Sequence, residues 1–199
     1  MQIKSAEFII SNTDYKMCPD TQLPEYAFIG RSNVGKSSLI NALTNKNKLA
    51  KISSTPGKTQ LINHFMINNK WYLVDLPGTG YARVSKEKRS SFSKMNKEYL
   101  LNRKNLTCLF FLIDCRLKPQ KIDQDFMKWL AEFQIPFVIV FTKSDKLNRN
   151  LLHKNIKSYR EYMKEEWIEL PKIFITSSKE KKNTNDIVKY IDSLNQKNH

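Results

Sequence analysis

The stretch Gly30-Arg31-Ser32-Asn33-Val34-Gly35-Lys36-Ser37, followed by Ser38, is a complete G-x-x-x-x-G-K-[ST] phosphate loop. Its chemistry is capture of a nucleoside triphosphate. Gly30 and Gly35 permit backbone conformations closed to residues with a Cβ, so that successive amide N–H groups can curl round phosphate oxygens. Lys36 would reach the β- and γ-phosphates as a point charge, and the Ser37 hydroxyl would ligate a Mg²⁺ that bridges them. Mg²⁺ is thus the expected cofactor.

Three further constellations decide which triphosphate and what is done with it. Thr142-Lys143-Ser144-Asp145 fits the T/N-K-x-D pattern, with Thr for the commoner Asn. The Asp145 carboxylate can accept from guanine N1–H and the 2-amino group together, which adenine cannot satisfy. Lys143 has an aliphatic stem that can lie along the purine face. Thr176-Ser177-Ser178-Lys179 resembles the S-A-K base loop, in which the Ser178 N–H would donate to guanine O6. The predicted substrate is GTP and the product GDP.

Asp75-Leu76-Pro77-Gly78 supplies a D-x-x-G element. Asp75 would hold Mg²⁺ through a water and the Gly78 N–H would contact the γ-phosphate, so that hydrolysis releases the segment behind it. Thr59 is the candidate switch threonine on Mg²⁺ and γ-phosphate, with Thr55 as runner-up. Lys36, Thr59 and Gly78 form the expected catalytic set. Thr79 stands where signalling GTPases carry a water-orienting Gln and is too short for that role, so intrinsic hydrolysis should be slow. A GTP-dependent binding module with negligible turnover is the alternative that this position leaves open.

These residues need a scaffold, and the pattern of apolar runs supplies one. Residues 3–10 read as an edge strand and 11–24 as a connection, followed by a strand at 26–30 and a helix at 36–44. Residues 61–67 and 71–75 flank Asn68-Asn69-Lys70 as a hairpin. A basic helix over 86–102 precedes a buried strand at 106–115, an amphipathic helix holding residues 122–133 and a second buried strand at 137–142. A long helix over 149–166, a strand at 173–176 and a helix over 184–195 complete the alternation, with 196–199 expected to fray. The fold class is α/β, a mostly parallel sheet with one antiparallel strand from the hairpin and helices on both faces. One domain spanning 1–199 is expected. Ligands of such sheets bind beyond the carboxyl ends of the strands.

Lys and Arg number 34 against 19 Asp and Glu, a formal charge of +15. Nucleic acid is the first partner this suggests and an anionic membrane surface the second, against a lysine-rich surface that is merely solvated. Residues 83–104, with Lys86, Lys88, Arg89, Lys94, Lys97, Arg103 and Lys104, follow the D-x-x-G loop and are the candidate segment for nucleic-acid contact, the alternative being a solvated helix face. Cys18, Cys108 and Cys115 have no metal spacing and read as reduced core residues, Cys108 and Cys115 on opposite faces of a strand. No apolar stretch is long enough to span a bilayer, so a cytoplasmic location is expected. His64 reads as a packed or edge residue.

The phosphate loop through Leu43, then Thr55-Pro56-Gly57-Lys58-Thr59-Gln60-Leu61-Ile62-Asn63, then Asp75-Leu76-Pro77-Gly78-Thr79-Gly80-Tyr81-Ala82 resemble the EngB (YihA/YsxC) family of bacterial ribosome-assembly GTPases. The resemblance implies a monomeric Ras-like P-loop GTPase domain that binds GTP and GDP with Mg²⁺. It also implies association with the large ribosomal subunit during maturation and a role in cell division and septation. Thr79 departs from the bulky residue usual there. Asn33 matches the phosphate-loop Asn that helps hold K⁺ in related GTPases; its alternative role is to tolerate strained loop backbone.

Overall fold

Strict alternation of apolar side chains between two faces builds the sheet. In the computed structural model, which describes residues 2–47, 49–50, 61–78 and 86–197 (backbone only for 86–93), β2 spans Glu25–Gly30 and β5 Leu106–Asp114. Ala27, Ile29, Leu109, Phe111 and Ile113 enter one buried cluster, while Tyr26, Phe28, Cys108, Phe110 and Leu112 enter the other. Two faces buried along every central strand require helices on both sides.

The remaining elements are β1 (Ala6–Asn12), α1 (Lys36–Thr44), β3 (Ile62–Ile67), β4 (Trp71–Asp75), α2 (Lys86–Asn102), α3 (Lys121–Glu132), β6 (Phe137–Thr142), α4 (Arg149–Lys164), β7 (Ile173–Ile175) and α5 (Thr184–Lys197). The seven strands lie in the order β1-β3-β4-β2-β5-β6-β7. Only β3 runs against the others, antiparallel to both β1 and β4, as expected for the hairpin. Asn68 and Asn69 turn it with φ of 52° and 54°, and Lys70 N donates to Ile67 O at 3.0 Å. Helices α1 and α5 cover one face; α2, α3 and α4 cover the other. No helix of the described residues is long and apolar enough to cross a membrane.

Several boundaries shift by one to three residues, and two of the shifts have clear local reasons. The first strand carries on through Asn12, because a bulge between Phe8 and Ile10 resets its pairing and Ser11 Oγ donates to Asn63 Oδ1 at 2.5 Å. At the other end, Gln196 and Lys197, expected to fray, belong to α5, whose last turns are held by Tyr26 OH donating to Asn195 Oδ1 at 2.7 Å. The three cysteines are free and buried, Cys108 and Cys115 in opposite clusters, and burial pushes the Cys108 thiol up to about 12.

Chain order reverses at β2, with β4 on one side and β5 on the other. The crevice at that reversal receives Gly30 from β2, Asp75 from β4, Asp114 from β5 and Thr142 from β6, each the last residue of its strand.

Candidate functional site

The phosphate loop owes its course to two glycines with different constraints. Gly35 has φ of +103°, the left-handed region anticipated from sequence. Gly30 is instead limited by space, since a Cβ there would lie 2.8 Å from Leu112 O and 2.9 Å from Val34 Cγ1. The conformational reading of Gly30 is therefore corrected to close approach. Asn33 has φ of 61°, a conformation Asn tolerates better than most residues, which supports its structural role in the loop. Gly35 caps α1 without a side-chain hydrogen bond, so no capping side chain competes for the amides of a first turn that carries Ser37 and Ser38.

Lys36 Nζ donates to Asp75 Oδ1, both groups buried, so the expected phosphate cation and the expected Mg²⁺ carboxylate are immediate neighbours. Asp75 and Ser37 offer hard oxygen donors of the kind Mg²⁺ takes alongside phosphate oxygens and waters, and the set fits that ion. Leu76 N donates to Phe28 O at 3.0 Å, and Asn96 of α2 donates to Pro77 O at 2.9 Å, fixing the chain up to buried Gly78. Thr59, Thr55 and Thr79 lie outside the described residues.

The base side converges on the same loop. A cavity of about 400 Å³ is lined by Gly35, Ser38, Thr142, Lys143, Asp145 and Ser178, all expected from sequence, and also by Asn41, Asn45, Lys46, Lys146 and Lys181. Asp145 Oδ1 accepts from Ser177 Oγ at 2.7 Å, which orients the carboxylate, while Lys146 Nζ stands 4.0 Å from Oδ2. Ser144 N donates to Thr176 O at 3.1 Å, and Thr176 N to Phe141 O at 2.7 Å, joining the two base loops. Thr142 is almost fully buried and its hydroxyl donates to Val34 O at 2.6 Å, bracing the phosphate loop at the edge of the cavity. Lys143, with φ of 61°, passes its stem over Gly35 and donates from Nζ to Asn33 O and to Asp114 Oδ2.

Arg31 and Ser32 face a second cavity, of about 130 Å³, shared with Asn33, Val34, Asp114 and Asp123. Arg31 donates to Gln120 Oε1, so its guanidinium points to the start of α3 and not into the base cavity. Burial pushes the Asp123 carboxyl up to about 6, against the opposing pull of Arg31. Asn96, Asp114, Gln120 and Asp123 were missed from sequence. Asp114 alone left a signal, an acid at the end of the apolar run 106–115.

The segment chosen for rRNA contact needs one correction. Arg103 is turned inward: its Nε lies 3.0 Å from both Glu25 carboxylate oxygens and its Nη2 donates to Glu25 Oε1 at 2.6 Å, leaving the side chain 13% exposed. A guanidinium satisfied by a buried carboxylate is not offered to phosphate. Lys94, Lys97 and Lys104 are exposed, Lys97 lying over the Trp129 ring. His64 is wholly buried and packs edge-on against Tyr72 and Tyr99.

Comparison with known proteins accords with this geometry. Residues 25–143 match the family model described as 50S ribosome-binding GTPase. The chain is 58% identical over 196 residues to the probable GTP-binding protein EngB of Porphyromonas gingivalis, covering 98% of each chain. It is 57% identical over 195 residues to that of Christiangramia forsetii, again covering 98% of each. Among solved structures, a probable GTP-binding protein engB superposes with a TM-score of 0.71 at 24% identity, over 87% of this chain and 99% of that one. Era in complex with MgGDPNP and nucleotides 1506–1542 of 16S ribosomal RNA superposes with a TM-score of 0.67 at 24% identity, over 85% of this chain and 55% of that one. By these matches and the site they enclose, the chain belongs to the EngB family of P-loop GTPases.

Proposed function

We propose that this GTPase is a switch in assembly of the large ribosomal subunit: its GTP form docks on rRNA in the cytoplasm and leaves after hydrolysis. Normal division and septation then depend on it through ribosome supply. The observation that carries this reading is the union of a phosphate loop with a guanine-type carboxylate, Asp145, around one cavity, in a chain whose family model is a 50S ribosome-binding GTPase. A single domain acting as a monomer is part of the same reading.

Specificity rests on Asp145, which lines the cavity and is held by a bond from Ser177 to one of its oxygens. Guanine presents two adjacent donors to a carboxylate, whereas adenine would leave it desolvated and unpaired. Lys36, Gly35 and the first-turn amides of α1 hold the phosphates, and the Gly78 amide stands after Asp75 to sense the γ-phosphate. Ser37, Thr59 and, through a water, Asp75 would hold Mg²⁺, which would supply neutralisation of phosphate charge. Loss of the γ-phosphate would free the segment after Gly78, and α2 begins at Lys86. The order of D-x-x-G element and basic helix along the chain supports docking through the segment 83–104, with Lys86, Lys88 and Arg89 and without Arg103, under control of nucleotide state. K⁺ beside Asn33 remains the proposed second cation.

Single-turnover hydrolysis of GTP, with and without purified large subunits, tests the reading. Slow turnover accelerated by large subunits is expected. Turnover that stays negligible in their presence would make the chain a GTP-dependent binding module instead.

A further inference from the structure

Asp114 ends β5 opposite Thr142 of β6, so the register sets it beside the base-binding strand. Its Oδ2 lies 2.9 Å from Lys143 Nζ, and the same ammonium donates to the carbonyl of Asn33 in the phosphate loop. The carboxylate is itself fixed: Oδ1 accepts from Arg116 N at 3.1 Å and Nε at 2.9 Å, and Oδ2 from Arg116 Nη2 at 2.7 Å. Lys143 Cε is 3.6 Å from the position of a Cβ on Gly35, so the anchored stem crosses the junction between phosphate loop and base cavity.

We propose that Asp114 is a positioning residue for the guanine nucleotide, holding the Lys143 ammonium on the Asn33 carbonyl so that the Lys143 stem is set in advance as one wall of the base pocket. The inference rests on the GTP reading of that pocket. A lysine left to itself has four rotatable bonds and loses side-chain entropy on being ordered, and an anchor that orders it beforehand removes that cost from nucleotide binding. Burial works against ionisation of Asp114, but the bonds from Arg116 and Lys143 outweigh it and hold the carboxyl below the usual carboxylate range, so the anchor stays charged at neutral pH. The competing role is purely local: closing the turn after β5 with Arg116. Asp114→Asn keeps an acceptor for the Arg116 amide but loses Oδ2, which serves both Arg116 Nη2 and Lys143, so its combination with a Lys143 variant separates the two: an effect through Lys143 vanishes once that lysine is gone, and a local one does not.

Release of mant-GDP from the full chain, followed by stopped flow in excess GDP, is the test. Asp114→Asn is expected to speed release about tenfold, as for loss of one charge-assisted hydrogen bond. Lys143→Gln is expected to do at least as much, and the double variant to be no faster than Lys143→Gln, because Asp114 acts through that lysine. Effects that multiply, or release by Asp114→Asn within twofold of the unmodified chain, would overturn the proposal. A thermal melt accompanies each variant; should Asp114→Asn not fold, the same cycle with Asp114→Ser is read against the same outcomes. An unmodified chain that fails to retain mant-GDP would overturn the GTP reading itself, a distinct result.

Discussion

Two buried carboxylates occupy opposite ends of neighbouring parallel strands and are partnered very differently. Glu25 opens β2 at the amino end of the sheet, with no exposure. It accepts from Tyr99 OH at 2.6 Å and from Arg103 through Nε and Nη2, and His64 Nε2 stands 3.4 Å from Oε1. Asp75 closes β4 at the carboxyl end, and among the described residues its side chain meets only Lys36. Both are about as buried. What separates them is saturation: a carboxylate with every lone pair engaged holds structure, and one with a single cationic neighbour and unused acceptor capacity is built to meet something else. Asp145, which lines the cavity and is held by one bond from Ser177 with Lys146 4.0 Å from its other oxygen, resembles Asp75 in this respect.

Removing Lys36 gives the largest expected break between the two ends. Lys36→Ala should lower single-turnover GTP hydrolysis about 10²–10³-fold, the scale for deleting one charge stabiliser of a transition state, and should lower the thermal midpoint too, because the buried Asp75 carboxylate loses its cation. Conversely, Arg103→Ala should cost about 3–5 kcal/mol in chemical denaturation, because it strands a buried charge. The folded fraction should still bind GDP with unchanged affinity, by calorimetry. If Arg103→Ala impaired nucleotide binding more than stability, the division of labour would be wrong.

Asp145→Asn should exchange base preference, since its amide donates where the carboxylate accepted. Affinity for GDP should fall by about 10–100-fold and that for xanthosine diphosphate should rise, because xanthine carries a carbonyl in place of the 2-amino group. Competition of the two nucleotides against mant-GDP reads this directly.

The pH dependence sharpens the contrast. Burial opposes ionisation of Glu25, but its contacts with His64, Arg103 and Tyr99 prevail and hold the carboxyl below its ordinary value of 4.5. Its stabilisation is therefore complete above that value and is lost as pH falls through the lower folded-state value. Asp123 has the opposite sign: raised from 3.8 to about 6, it binds its proton more tightly in the folded chain, so stability declines as pH rises through that window. Asp123→Asn should flatten that decline and add about 1–3 kcal/mol at neutral pH in urea titrations. A variant with the unmodified pH profile would contradict this assignment. The smallest effect concerns Asn33, where a few-fold faster hydrolysis in K⁺ than in Na⁺ would show a cation role beyond tolerance of φ 61°.

The candidate nucleotide-binding residues were legible in the sequence because each motif is contiguous and its chemistry depends on backbone run and residue type. Helix α1 and strand β6 begin and end where periodicity placed them. What stayed hidden depends on contacts between distant segments. Nothing in the spacing of Asp114 and Lys143 announces that they meet, nor that Arg103, one cation in a basic run, turns in to Glu25 across 78 residues. Thr142 shows the same limit: its motif position marked it as part of the nucleotide site, and nothing in that position announced that its hydroxyl would brace the Val34 carbonyl.

The central claim is that nucleotide state governs docking on the large subunit. Cosedimentation of the chain with purified large ribosomal subunits, compared between GDPNP and GDP, tests it most directly, with anionic vesicles as the competing surface. Retention on the subunits with GDPNP, release with GDP, and loss of retention on charge reversal at Lys86, Lys88 and Arg89 are predicted. Equal retention in both nucleotides, or preference for the vesicles, would contradict it.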